Sequence, residues 1–67
     1  MPELANAVRA AREAKGWTQA ELAARIGVSR KTVNTVENGV FVPSTIIALK
    51  LAAALGTTVE TLFSIVE

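Results

Sequence analysis

Short amphipathic segments, most of them opened by a serine or threonine and closed by a glycine, restrict the fold of this chain more than any other feature. A Ser or Thr side chain satisfies the free N–H groups of a first helical turn, and a glycine readily adopts the left-handed conformation that ends a helix. Apolar residues recur at helical spacing between these signals. We therefore expect an all-α fold, a compact bundle of five helices. Their predicted approximate bounds are 3–15, 19–25, 30–37, 45–55 and 59–64.

The length and the missing residue types exclude several classes of protein. At 67 residues the chain is expected to form a single domain spanning residues 1–67, too small for a deep catalytic cleft. It contains no cysteine and no histidine, which removes disulfides, thiolate metal sites, the commonest metal ligand and the usual general base. We therefore expect neither a cofactor nor a metal.

No segment of the sequence resembles a secretory signal or a membrane span. The chain begins with Met1-Pro2-Glu3 rather than with a basic residue and an apolar run. The most apolar stretch, residues 44–56, contains Lys50, whereas a span needs about 18 or more uncharged apolar residues. We expect a soluble cytoplasmic protein without a membrane partner.

Positive charge is concentrated in the first half of the chain. Residues 9–31 contain six Lys or Arg against two Glu, whereas residues 39–67 contain one Lys against two Glu. The first half could therefore face a polyanion, and the second half could not. A solvated helical surface is the alternative explanation, and charge alone does not decide between the two.

The second and third predicted helices have the spacing of a DNA-binding unit. A turn of about four residues that contains Gly27 separates them, so they must cross steeply. The outward face of the third helix is polar and suits the major groove, where Arg and Lys donate to guanine, Asn pairs with adenine and Thr contacts thymine. Gln19 and Asn38 are expected to contact phosphates on either side. The predicted base-contacting residues are Arg30, Lys31, Asn34 and Thr35.

Each of these polar residues could instead be an ordinary solvated residue of a helix surface. Arg12 and Glu37 are expected to pair as a partly buried bridge between the first and third helices. Trp17 suits a core position under the first helix better than a platform on which a base stacks. Arg9 and Arg25 remain open between surface solubility and a peripheral phosphate contact.

Two stretches of the sequence, REAKGWTQAELA at residues 12–23 and GVSRKTVNTVENG at residues 27–39, carry a family resemblance. They closely resemble the lambda/Cro-type helix-turn-helix family, also called the xenobiotic-response-element family. Pro43-Ser44 and residues 55–63 extend the resemblance over nearly the whole chain, and the joint pattern is highly specific. The resemblance implies a lambda-repressor-like five-helix domain that binds DNA as a two-fold dimer.

The resemblance also implies roles for individual residues. Gln19 would hold a phosphate at the start of the second helix, and Asn38 would hold the DNA backbone beyond the groove. Arg12 and Glu37 would form the interhelical salt bridge of the family. The residues implied to meet DNA are Thr18, Gln19, Arg30, Lys31, Thr32, Asn34, Thr35 and Asn38.

A single recognition helix covers too few base pairs for specific binding, and two half-sites about 34 Å apart would overcome this limit. We therefore expect a homodimer. The candidates for its interface are residues left over once the core is assigned, although scattered surface hydrophobes are normal. The segment Phe63–Glu67 is expected to join the interface. The predicted interface residues are Ile46, Leu49, Ala53, Thr61, Ile65 and Val66.

These features favour a sequence-specific regulator of transcription that binds double-stranded operator DNA, acting as a repressor that blocks polymerase. The subtype is open among a phage-type repressor, the controller of a restriction-modification locus and an antitoxin whose protein partner is a cognate toxin. A protein-interaction module that lost operator recognition is the alternative, because the net charge is only +1 and the loop Val40–Val42 is apolar. An enzyme comes third, because no nucleophile–base pair can be assembled.

Overall fold

The computed structural model describes residues 3–66, and within that range five helices pack around one apolar core while the first and last described residues pair as a small sheet. The strands are β1 Glu3–Asn6 and β2 Phe63–Val66. The predicted five-helix bundle is confirmed, and the third and fourth helices have the predicted bounds. The helices are α1 Val8–Ala14, α2 Gln19–Ile26, α3 Arg30–Glu37, α4 Thr45–Leu55 and α5 Val59–Leu62.

Side-chain caps explain where four of the helices begin. At the start of α2 the Thr18 hydroxyl accepts from the Glu21 N–H at 3.0 Å, and the Glu21 carboxylate accepts from the Thr18 N–H at 2.9 Å. The hydrogen bond from the Thr18 backbone lowers the pKa of Glu21. This reciprocal pair stabilises the first turn of the helix. Hydroxyl caps of the same kind begin α3, α4 and α5 at Ser29, Ser44 and Thr58.

The turn between α2 and α3 sets the angle at which these two helices cross. Gly27 ends α2 with a φ of 73°, in the left-handed region that glycine adopts without strain. Ser29 follows after one residue and already caps α3. Ala23 is only 3% exposed, and its small side chain lets α3 approach α2 closely. The two helices therefore pack directly against each other.

The prediction of a helix over residues 3–6 was wrong, because this segment is strand β1. It pairs antiparallel with β2 along its whole length. The second strand also shortens the last helix, which was predicted over 59–64 and ends at Leu62. The all-α assignment therefore holds for the bundle and not for the two ends of the described chain, and Glu67 lies outside the described residues.

Asn6 explains why the first helix begins late. Its side-chain oxygen accepts from the Val8 N–H at 3.2 Å, and its side-chain nitrogen donates to the Val36 carbonyl at 3.0 Å. Ala7 extends the strand pairing through its N–H, which donates to the Leu62 carbonyl at 2.8 Å. A backbone held by these partners cannot be helical before Val8.

All five helices contribute side chains to one apolar core. Val8 of α1 and Leu62 of α5 are buried in it. Burial of a large aliphatic side chain contributes roughly 1.5–3 kcal/mol, so this cluster supplies most of the cohesion and leaves the opposite side of α3 to polar residues. The buried residues from α2, α3 and α4, all predicted to face inward, are Leu22, Ala23, Ile26, Val33, Val36, Ala48, Leu51, Ala52 and Leu55.

Candidate nucleic-acid interface

The residues predicted to meet DNA lie at the start of α2 and along α3. Side-chain hydrogen bonds join Gln19 of α2 to Arg30 and Asn34 of α3 at 3.3 and 3.2 Å. The start of α2 and the polar side of α3 therefore form one continuous surface. Its exposed members are Thr18, Arg30, Lys31 and Asn38, and its partly buried members are Gln19, Thr32, Asn34 and Thr35.

Thr32 and Thr35, the two threonines of this surface that lie on α3, form hydrogen bonds through their hydroxyl groups within α3 and its N-cap. The Thr35 hydroxyl donates to the Thr32 carbonyl at 3.0 Å. The Thr32 hydroxyl shares a hydrogen bond of 3.0 Å with the Ser29 hydroxyl. A hydroxyl that donates in this way can still accept, and each threonine keeps a methyl group suited to contact with thymine.

Glu37 is the centre of a cluster of charges beneath this surface, and its side chain is 0% exposed. Arg12 donates from Nε to Oε2 at 2.7 Å and from Nη2 to Oε1 at 3.2 Å, and its Nη1 donates to the Trp17 carbonyl at 2.8 Å. Arg9 Nε and Gln19 Nε2 donate to Oε1 at 3.2 and 3.1 Å. The predicted pair of Arg12 and Glu37 is thus part of a larger cluster that joins α1, α2 and α3.

The hydrogen bonds of this cluster favour the charged forms of its members. Burial alone would raise the pKa of Glu37, but the hydrogen bonds from Arg12, Gln19 and Arg9 outweigh it and hold that pKa below its usual range. The hydrogen bond with Glu37 in turn raises the pKa of Arg12. The buried carboxylate is therefore ionised and paired at neutral pH.

The sequence did not decide whether Arg9 and Arg25 serve surface solubility or contact a phosphate at the periphery. The structure gives each of them a partner within the chain. Arg9 joins the cluster around α3 and donates from Nη2 to Asn38 Oδ1 at 2.9 Å. The only sequence signal for this contact is its spacing of three residues from Arg12, which puts both on one face of α1. The guanidinium of Arg25 lies 4.0 Å from the centroid of the Trp17 ring, and Trp17 packs against the core.

The residues predicted to form a dimer interface are exposed. Ile46 is 65%, Leu49 57% and Ile65 68% exposed. Leu49 helps to line an open apolar groove of about 650 Å³, whose other walls include Leu4 and Phe63. Exposed apolar side chains around an open groove suit contact with another protein. The remaining predicted members, also exposed, are Ala53, Thr61 and Val66.

Among residues 3–66, no three His, Cys, Asp or Glu side chains lie close enough together to hold a metal ion. None of the helices in that range has the length and apolar character needed to cross a membrane.

Comparison with known proteins connects this geometry to a family. A helix-turn-helix family model matches residues 8–62. The chain is similar to the HTH-type transcriptional regulator YgzD of Bacillus subtilis (strain 168), with 37% identity over 62 residues that cover 92% of this chain and 94% of YgzD.

Solved structures share the arrangement as well. The restriction-modification controller protein C.AhdI from Aeromonas hydrophila superimposes with a TM-score of 0.76 and 39% identity, covering 81% of this chain and 82% of C.AhdI. SinR, the master regulator for biofilm formation, was crystallised in complex with DNA. It superimposes with a TM-score of 0.75 and 29% identity, covering 81% of this chain and 87% of SinR.

Proposed function

The chain belongs to the helix-turn-helix family of DNA-binding transcriptional regulators, and we propose that it acts in the cytoplasm as a homodimer that represses transcription from a two-fold operator. One observation carries the proposal. Arg30 and Lys31 are exposed at the start of α3, on the surface that the start of α2 continues. Their cationic groups suit both guanine edges and phosphates.

The family membership confirms the resemblance seen in the sequence. Like its relatives, the chain is a transcriptional regulator and not an enzyme. Repression needs no chemistry, because a protein that occupies a promoter blocks polymerase sterically. Similarity to C.AhdI supports a controller of a restriction-modification locus as the subtype. A phage-type repressor and an antitoxin that binds a cognate toxin remain the other two subtypes.

In this proposal α3 enters the major groove. Lys31 and Arg30 contact base edges there, and Thr32, Asn34 and Thr35 line the same side of the helix. Thr18 and Gln19 at the start of α2 and Asn38 at the end of α3 face phosphates on the two sides of the groove. Support comes from the exposure of the cationic residues and from the DNA complex of the similar protein SinR.

A homodimer is proposed because one domain of this size spans only one half-site. The Cα atoms extend over 32 × 21 × 20 Å, so two copies in contact can present their α3 helices about 34 Å apart, one turn of DNA. The exposed apolar residues of α4 and β2 offer a face for the contact. Because a two-fold contact uses the same surface on both copies, the operator should be a palindrome.

Selection of bound sequences from a random duplex pool tests the proposal. The expected product is a two-fold symmetric site with half-sites centred about 10 base pairs apart. If the protein binds duplexes from the pool but the bound duplexes share no sequence, operator recognition would be contradicted.

Lys31→Ala is expected to weaken operator binding by about 1–3 kcal/mol and to relax the base preference at one position of each half-site. The reason is that an exposed lysine near the start of a recognition helix donates to a base edge. Binding to operators with single substitutions, measured by fluorescence anisotropy, checks this expectation. Lys50→Ala removes the same charge from the exposed side of α4 and should leave the preference unchanged. Equal weakening on all duplexes would contradict a base contact.

A protein-interaction module is the second candidate function. The loop between α3 and α4 favours it, because Val40 is 78% and Val42 71% exposed and Phe41 is 41% exposed. Such a loop could contact a protein partner, including a cognate toxin. A chain that binds a partner through this loop but treats operator and random DNA alike would fit the module and not the regulator.

A further inference from the structure

Side-chain amides cross the proposed DNA-facing surface and meet at one atom, the Oδ1 of Asn34. Gln19 Nε2, at the start of α2, donates to this oxygen at 3.2 Å. Asn38 Nδ2, at the end of α3, donates to it at 3.1 Å. One carbonyl oxygen thus joins the two residues proposed to face phosphates on opposite sides of the groove.

Charged neighbours fix the direction of the Gln19 amide. Its Nε2 also lies 3.1 Å from Oε1 of Glu37, which as a carboxylate only accepts. Its Oε1 lies 3.3 Å from Nη1 of Arg30, which as a guanidinium only donates. The nitrogen of Gln19 must therefore be the atom on the side of Asn34 and Glu37.

A charged neighbour also fixes the Asn38 amide. Its Oδ1 accepts from Nη2 of Arg9 at 2.9 Å, so its nitrogen points towards Asn34. Two amide nitrogens consequently face Asn34, and only its oxygen can receive them. The orientation of all three amides follows from the charges of Arg9, Arg30 and Glu37.

The filled oxygen limits how Asn34 can act on DNA. An amide oxygen has two lone pairs, and here two donors occupy it. Bidentate pairing with adenine needs that oxygen for the N6 amino group and the amide nitrogen for N7. While the network is intact, Asn34 cannot make the adenine contact that its residue type alone suggests.

Resting on the DNA-binding function proposed above, we infer that Asn34 is a positioning residue that holds Gln19 and Asn38 at a fixed separation across α3. Both hydrogens of the Gln19 side-chain amide are used within the network, so Gln19 faces its phosphate through the backbone N–H at the start of α2, and Asn38 keeps one amide hydrogen for the phosphate on the other side. Both groups are then ordered before DNA arrives, which lowers the entropic cost of binding. Phosphate contacts carry no sequence information. Asn34 therefore contributes to the affinity for every duplex and leaves the base preference to other residues, Lys31 among them.

Asn34→Ala, compared with Lys31→Ala, tests this role. Asn34→Ala is expected to lower the affinity for the selected operator and for a random duplex by similar factors, about five- to tenfold, with the sequences selected from a random pool unchanged. Lys31→Ala is expected to change the selected sequences. Loss of preference at one base pair by Asn34→Ala, with random-duplex affinity unchanged, would show a base contact and overturn the inference.

A second measurement tests for the hydrogen bonds of Asn34 with Gln19 and Asn38 in the absence of DNA. In NMR spectra of the free protein, Asn34→Ala is expected to shift the side-chain amide resonances of Gln19 and Asn38, and Lys31→Ala to leave them in place. Unmoved resonances would overturn the inference even if binding weakens. A wild-type chain that fails to discriminate operator from random DNA would instead overturn the proposed function, and the NMR result would still decide whether the network exists.

Discussion

Replacing Glu37 by alanine is expected to cost about 3–5 kcal/mol of the free energy of unfolding. The side chain of Glu37 is 0% exposed and receives hydrogen bonds from three other residues. Its removal leaves Arg12, whose side chain is 12% exposed, without its carboxylate partner. A domain of this size has a total stability of roughly 3–10 kcal/mol, so the variant should be close to unfolding at room temperature.

Urea denaturation followed by circular dichroism, at one fixed protein concentration, measures this loss. Glu13→Ala is the matched control, because it removes an exposed glutamate from α1. A surface substitution of this kind should change the stability by no more than about 0.5 kcal/mol. A Glu37→Ala variant with the denaturation midpoint of the wild type would contradict the buried cluster.

Acidification should weaken the same cluster in the wild type. The pKa of Glu37 is lower in the folded chain than its ordinary value, which is about 4.3. Its contribution is therefore complete above that ordinary value and is lost as the pH falls through the lowered pKa. The difference in stability between the wild type and Glu37→Ala should shrink over this acidic range. A difference that stays constant would argue against the hydrogen bonds that Glu37 receives from Arg12, Gln19 and Arg9.

Replacing Leu49 by arginine is expected to lower the affinity for the operator by about 10²–10⁴-fold. In a two-fold interface one substitution acts on both copies, so each copy would bring a positive charge into the proposed apolar contact. Each resulting monomer would hold one half-site alone. Leu49 is 57% exposed, so the isolated domain should keep its fold. The added positive charge favours attraction to phosphates, and the loss can therefore be assigned to the dimer.

Sedimentation equilibrium and operator titration together check the dimer. Val40→Arg is the control, because Val40 is 78% exposed in the loop outside the proposed interface and acquires the same charge. It should stay dimeric and bind at least as tightly as the wild type. A Leu49→Arg chain that remains a dimer with full operator affinity would remove this face from the interface.

The parts of the fold that depend on local signals were predictable from the sequence. Ser29 and Ser44 cap their helices through hydroxyls that accept from N–H groups three residues later, and α3 and α4 begin at the predicted residues. The strands were missed because their pairing is not local. Leu4 lies opposite Ile65, and no signal within residues 3–6 identifies a partner some 60 residues away. The apolar spacing of this first segment also suits a helix.

The candidate site also has parts that local sequence predicts and parts that depend on tertiary packing. The residue types along α3 predicted a polar surface suited to DNA, because composition and helical spacing are enough to place Lys31 and Arg30 on it. The hydrogen bonds of Asn34 were not predictable, because they need α1, α2 and α3 packed together before Arg9 and Glu37 can orient the amides. A residue type that can read adenine does so only if its neighbours leave its oxygen free.

The central claim is that the exposed polar side of α3 recognises a particular DNA sequence. Its most direct test compares the dissociation constants of the wild-type chain for the selected operator and for a random duplex of equal length, over a series of salt concentrations. We expect an operator preference of at least about 10³-fold at physiological salt and affinities for both duplexes that fall steeply as salt rises. Equal affinity for the two duplexes at every salt concentration would contradict it.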